Sequence, residues 1–188
     1  MSDQQVRAKQ KAMNIFFIST DAAEAARMHG DKHVIKMILE STQMLITCHR
    51  ILEDDDLWIL KFKTDLGGKE PYKMTHANHP CTIWARTSLA NYAWLCDLAL
   101  ALCDEKMARW PDKKPHACRP MLEWLAANPP PTLTRPDMTE PATAMPDEFK
   151  VPNDPVASYR LYYRHKFEIG IAAYGRMPER LPRFIISE

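Results

Sequence analysis

The segment "DKHVIKMILE", residues 31 to 40, places His33 and Glu40 seven residues apart, two helical turns, among apolar residues. Asp31 and Lys36 stand in the same stretch, and Met37 and Met44 fall on the same stripe as His33 and Glu40. A carboxylate or imidazole on the wall of a half-apolar cleft has a shifted pKa, and a glutamate held there can act as a general acid or base. The same spacing also suits the solvated outer face of a helix packed on its other side.

A second cluster is "THANHPC", with His76, Asn78, His79 and Cys81. Two histidines three apart plus a cysteine suggest zinc, but no second ligand pair has structural-site spacing, so no metal is expected. Turn and cap duty is the plainer reading. Imidazoles and amide N–H groups at a helix N-terminus, joined by Arg86 one turn inside, also compose an anion clamp. In the third cluster, "YRLYYRHK", Arg160, Arg164, His165 and Lys166 interleave with Tyr159, Tyr162 and Tyr163. Cations and aromatic rings so arranged can grip a sugar-phosphate chain and stack on bases, though Tyr-rich amphipathic helices also pack ordinary cores. Arg176, Arg180 and Arg183 add charge in the tail, and "AMPDEF" sets Asp147 and Glu148 on a loop. No Gly-rich phosphate loop, G-x-S-x-G or H-E-x-x-H occurs.

The elements that must carry these residues follow from periodicity. "MNIFFIST" (13 to 20) reads as a short strand or extended segment, and Ser19, Thr20 and Asp21 offer a helix cap. "AAEAARMH" is rich in helix formers and should end at Gly30 in a left-handed cap, with Asp31 capping the next helix. That helix runs to about residue 52, with Val34, Ile35, Ile38, Leu39, Leu45 and Ile46 on its packed side. A long connection follows, with a strand or hairpin at "LWILKFK". The longest helix is expected over residues 81 to 110, started by Pro80 and stopped by Pro111. "MLEWLAA" gives a short helix, "NPPPTLTRPDMTEPATAMP" a surface-wrapping loop, and "DPVASYRLYYRHKFEIGIAAYG" a last helix.

The expectation is a mainly α, single-domain helical fold over residues 13–188, with a short N-terminal strand, a long Pro-rich surface loop and a flexible arm over residues 1–12. With 188 residues and 46% apolar content, one hydrophobic core suffices. The formal net charge of +1 advertises no polyanionic partner, so any nucleic-acid contact must be a local patch. Five cysteines without a C-x-x-C pair suit a reducing compartment. No apolar run is long enough to span a membrane and no signal peptide is evident, so a cytoplasmic protein is expected.

Taken together, "MNIFFIST", "DKHVIKMILE" and "NHPCTIWARTSLANYAWLCDLALALCDEKMARW" resemble the phage pyrimidine-dimer DNA glycosylase family. That small all-α family opens with a short apolar segment, then a helix carrying Asp-x-His and a catalytic Glu two turns on, and later a His-led long helix. The likeness covers about half the chain through short motifs. It implies Glu40 as catalytic acid/base, and His33 and His79 as site residues. In the family the nucleophile is the chain's own terminal amine, whereas here "MSDQQVRAKQKA" precedes Met13. The related phage enzymes that attach amino acids to 5-hydroxymethyl pyrimidines suggest a free amine in its place.

The resemblance therefore implies a DNA-modifying transferase acting on a flipped-out pyrimidine. The amine of a free amino acid attacks an activated methylene, Glu40 takes its proton and His33 orients the reactants. His76, His79 and Arg86 hold the departing phosphate or pyrophosphate, and Asp31, Lys36 and Asn78 complete the substrate site. Arg160, Tyr163, Arg164, Lys166 and Arg176 contact DNA, and no cofactor is needed. A pyrimidine-specific glycosylase/lyase and a non-catalytic viral DNA- or protein-binding accessory protein are the alternatives. The geometric expectation is one concave site shared by His33, Glu40 and either His76 or His79.

Overall fold

The computed structural model describes residues 13–186, so the arm at residues 1–12 lies outside the described residues. The architecture is mainly helical. Helix α1 (Ala22–Met28) is capped by the Asp21 side chain, which accepts from Glu24 N–H. Helix α2 (Asp31–Leu52) leads to α3 (Leu57–Asp65), α4 (Pro80–Ala85), α5 (Leu89–Arg109) and α6 (Arg119–Ala127). Helix α7 (Pro155–Glu168) and the short α8 (Arg183–Ile186) close the described chain. Helix α2 packs on α4, α5 and α6, and α1 also packs on α5, which makes α2 and α5 the central pair. Among the described residues no helix is long and apolar enough to cross a membrane, and all five cysteines are buried free thiols.

The expected N-terminal strand is absent: residues 13–18 run as irregular chain. Met13, Ile15, Phe16, Phe17 and Ile18 are all buried, so the apolar run threads the core, and among the described residues it has no partner strand with which to form a ladder. Asn14 organises it locally, its Oδ1 accepting from the N–H groups of Ile15 and Phe16 at 2.8 and 2.9 Å. Phe16 adopts φ 39°, a left-handed conformation unusual for a bulky residue.

Gly30 is not a left-handed cap. Its φ is −70° and it serves as the N-cap of α2, with Asp31 as the first helical residue. The glycine is needed because a Cβ there would meet Ala172 Cα and Ala173 N at 3.0 Å. This close approach lets Asp31 N–H donate to Ala173 O at 2.7 Å and fastens the chain after α7 onto the start of α2.

The packed side of α2 is also wider than its expected stripe. Ile35 and Leu39 are exposed, whereas His33, Met37, Met44 and Thr47 are buried, because α2 is surrounded by other elements on most sides. "LWILKFK" is helical, not a strand or hairpin: Trp58 and Phe62, four apart, share one buried face while Leu57 and Leu60 lie outside. The expected helix over 81 to 110 is two helices. Ser88 interrupts it by capping α5, its Oγ accepting from Asn91 N–H at 3.1 Å. Residues 128–146 contain neither helix nor strand and lie along α5 and α7 through Asn91 and Tyr159.

Candidate functional site

Helix α2 places His33, Lys36 and Glu40 along one stripe, at steps of three and four. That stripe forms one wall of a cavity of about 490 Å³. The other walls are Asn14 and Phe16 of the N-terminal segment, His79 and Pro80 at the start of α4, and Ala144, Met145 and Pro146 of the Pro-rich loop. Tyr162 and Lys166 of α7 and Ile171 complete it. The segments meet there for local reasons. Asn14 Nδ2 donates to Ala144 O at 2.9 Å, and the Tyr159 hydroxyl donates to Ala142 O at 2.6 Å, fixing the loop over the cavity.

His33 is 5% exposed and is held by Tyr163, whose hydroxyl lies 2.8 Å from Nδ1. That hydroxyl accepts from Gly30 N–H at 2.7 Å; where it donates to His33 Nδ1, the imidazole proton lies on Nε2. Burial, then the positive surroundings of His29, Lys36, Lys166 and Lys32, push the His33 pKa down to about 3. His33 is therefore neutral near pH 7. His79 accepts from Cys81 N–H at its Nδ1, which again leaves the ring proton on Nε2, and burial lowers its pKa, with His76 adding to the effect.

Glu40 is 9% exposed; its Oε1 meets Lys36 Nζ at 3.0 Å, while Oε2 is buried without a hydrogen-bond partner. A buried carboxylate oxygen left unpaired is costly, and such atoms concentrate where chemistry needs them. Around these groups stand aromatic rings. Phe16 lies 4.6 Å from the His33 ring and nearly parallel to Tyr162, at 6.2 Å and 26°. Lys166 Nζ sits 4.5 Å from the centre of the Tyr162 ring. The cavity thus combines a carboxylate, two imidazoles, two lysine side chains and flat apolar walls, a set suited to a planar, anionic ligand and to proton transfer.

Of the residues singled out from sequence, His33, Lys36, Glu40, His79 and Lys166 meet in this cavity. The others have different work. Asp31 accepts from Arg109 Nη1 at 3.0 Å and from Arg176 N–H, so it belongs to a buried ion pair and not to a substrate site. His76 and Asn78 are exposed on the loop before α4 and do not line the cavity. Arg86 donates to Ala77 O at 2.6 Å and thereby braces that loop from outside the cavity, so the anion clamp of His76, His79 and Arg86 does not assemble.

The expected DNA-contacting set is likewise dispersed. Tyr163 is fully buried and cannot stack on a base. Arg160 Nε donates to Ile18 O at 2.9 Å, and Arg164 donates to Phe184 O through Nε and Nη2. Both guanidinium groups tie the molecule together. Arg176 is exposed. Asp147 pairs with Lys150, and Glu148 is an exposed residue of a 3₁₀ turn. Among the described residues no group of three or more His, Cys, Asp or Glu could hold a metal ion.

Phe16, Tyr162 and the 144–146 segment were not singled out from sequence as walls of this site. Phe16 carries no sequence signal beyond its apolar run, and its strained backbone is visible only in three dimensions. Fold and site together define a mainly helical protein with a polar and aromatic cavity built on its central helix. No family model, curated protein or solved structure matches the chain.

Proposed function

We propose that this cavity receives a flipped-out pyrimidine of DNA and that Glu40 performs acid/base chemistry on it, the transfer of an amino acid amine to an activated 5-hydroxymethyl group. The observation that carries this reading is Glu40 on the wall of a cavity whose other charged groups are Lys36 and Lys166, its carboxylate paired through Oε1 alone while Oε2 is buried without a partner. In the reaction Glu40 takes a proton from the ammonium of the amino acid. The freed nitrogen forms a bond to the methylene carbon, and the carbon–oxygen bond to the phosphate or pyrophosphate breaks, with both electrons leaving on oxygen. His33, neutral and fixed by Tyr163, orients the reactants through Nε2–H. Phe16 and Tyr162 offer flat faces to a base. Of the cations expected at DNA, Lys166 and Arg176 remain available for it, since Arg160 and Arg164 serve the fold.

The test is nucleoside mass analysis of DNA bearing phosphorylated 5-hydroxymethyl pyrimidines after incubation with the protein and a mixture of free amino acids. A heavier nucleoside whose added mass equals one amino acid residue supports transfer. Abasic sites would assign a glycosylase instead. Unchanged DNA in every arm removes base chemistry and leaves an accessory binding role.

A further inference from the structure

Lys166 is half-buried in the cavity wall, and its ammonium rests on the Tyr162 ring without a carboxylate partner among the described residues. Lys36, by contrast, is already paired with Glu40 at 3.0 Å. A cation at a cavity wall without a counter-charge is complementary to an anionic ligand. The donors nearby point the same way. His79, whose Nδ1 accepts from Cys81 N–H, keeps its proton on Nε2, and His33, 5% exposed and held by Tyr163, takes the same tautomer where the Tyr163 hydroxyl donates to its Nδ1. With two ammonium groups against one carboxylate, the cavity carries net positive charge.

We infer that Lys166, His33 and His79 form an oxyanion subsite that takes the phosphate or pyrophosphate group of the substrate. The three donors come from α7, α2 and the start of α4, so they approach from different directions, which suits a tetrahedral phosphate better than a planar carboxylate. This subsite replaces the clamp of His76, His79 and Arg86, which the fold keeps apart. Its role rests on the proposed reaction, in which the phosphate is the leaving group, but its existence is measurable without DNA.

The experiment is a calorimetric titration of the full chain with inorganic pyrophosphate at low salt, with glycine as a parallel ligand. Saturable pyrophosphate binding is expected, weakened about tenfold or more in Lys166→Met and largely retained in Lys166→Arg. Methionine keeps the apolar stem over Tyr162, and melting curves of each variant report whether the fold is intact. In nitrogen-detected spectra of the unmodified protein, the Nε2–H signals of His33 and His79 are expected to shift during the titration, a readout that needs no variant. No saturable binding, binding unchanged in well-folded Lys166→Met, or Lys166-dependent binding of glycine alone overturns the inference. Pyrophosphate binding with unmodified DNA products would leave the subsite standing and defeat the base-transfer reading, whereas modified DNA without pyrophosphate binding would do the reverse.

Discussion

Glu40 pairs with Lys36 through Oε1 and keeps Oε2 buried without a partner. If its carboxylate is the proton acceptor, Glu40→Gln keeps the side chain's shape and removes only its basicity. Turnover is expected to fall at least about 100-fold with ligand binding retained, as for loss of a general base. Parallel losses of binding and turnover would mark Glu40 as a binding group only. Tyr163 gives a second expectation at this scale. Its hydroxyl serves Gly30 N–H and His33 Nδ1 together, so Tyr163→Phe leaves both buried groups unsatisfied. A loss of about 1–3 kcal/mol by urea denaturation is expected. An unaltered unfolding midpoint would mean that the hydroxyl anchors neither group.

At the scale of elements, the break between α4 and α5 shows what a sequence carries and what it does not. The end of α2 near residue 52 and the start of α7 at Asp154 and Pro155 are legible from apolar periodicity and cap residues, but α7 stops at Glu168, short of the "IGIAAYG" that its sequence pattern includes. Residues 86–88 lie inside an apolar, helix-compatible run, and Ser88 becomes a cap only because Asn91 next to it is claimed by tertiary partners. Asn91 Oδ1 accepts from Thr139 N–H, and its Nδ2 donates to Trp84 O and Thr139 Oγ1, at 2.6 to 2.9 Å. These partners lie 7 and 48 residues away, beyond the reach of local pattern. Asn91→Ala is expected to cost about 2–3 kcal/mol and to speed proteolytic cutting within residues 128–146, since the loop loses its anchor on α5. Cutting at the unmodified rate would show that Asn14 and Tyr159 hold the loop unaided. The same limit explains α7. Its alternating cations and tyrosines are plain in sequence, but carbonyl groups of Ile18 and Phe184 capture Arg160 and Arg164 through folding alone. The site on α2 was more legible, because His33, Lys36 and Glu40 share a stripe of one helix.

For the molecule as a whole, near-neutral charge removes global repulsion as a cause of acid unfolding near pH 5–6, so buried imidazoles should dominate the response to mild acid. His29 is fully buried, gives its Nδ1 proton to Ala25 O at 2.7 Å and keeps an unpartnered Nε2. Burial, opposed by that hydrogen bond and assisted by Arg109, brings its pKa to about 4, and His33 lies at about 3. In the unfolded chain both titrate near 6.5. Between these values the unfolded chain binds more protons than the folded one, so stability is complete above about pH 6.5 and is lost as pH falls toward 4 and then 3. Burial brings His49 to about 4 as well, its contact with Glu53 opposing this, so His29 and His33 set the lower bound of the proton uptake. Near pH 5 unfolding should take up close to two protons from His29 and His33 and more with His49, a slope of at least about 2.5 kcal/mol per pH unit. Urea unfolding at pH 7, 6 and 5 measures it directly. In His29→Gln, which retains a donor for Ala25 O, the uptake should fall by about one proton. A stability profile flat between pH 7 and 5 would show that neither histidine is held neutral by the fold, and with it would go the assignment of His33 as an uncharged Nε2–H donor in the cavity.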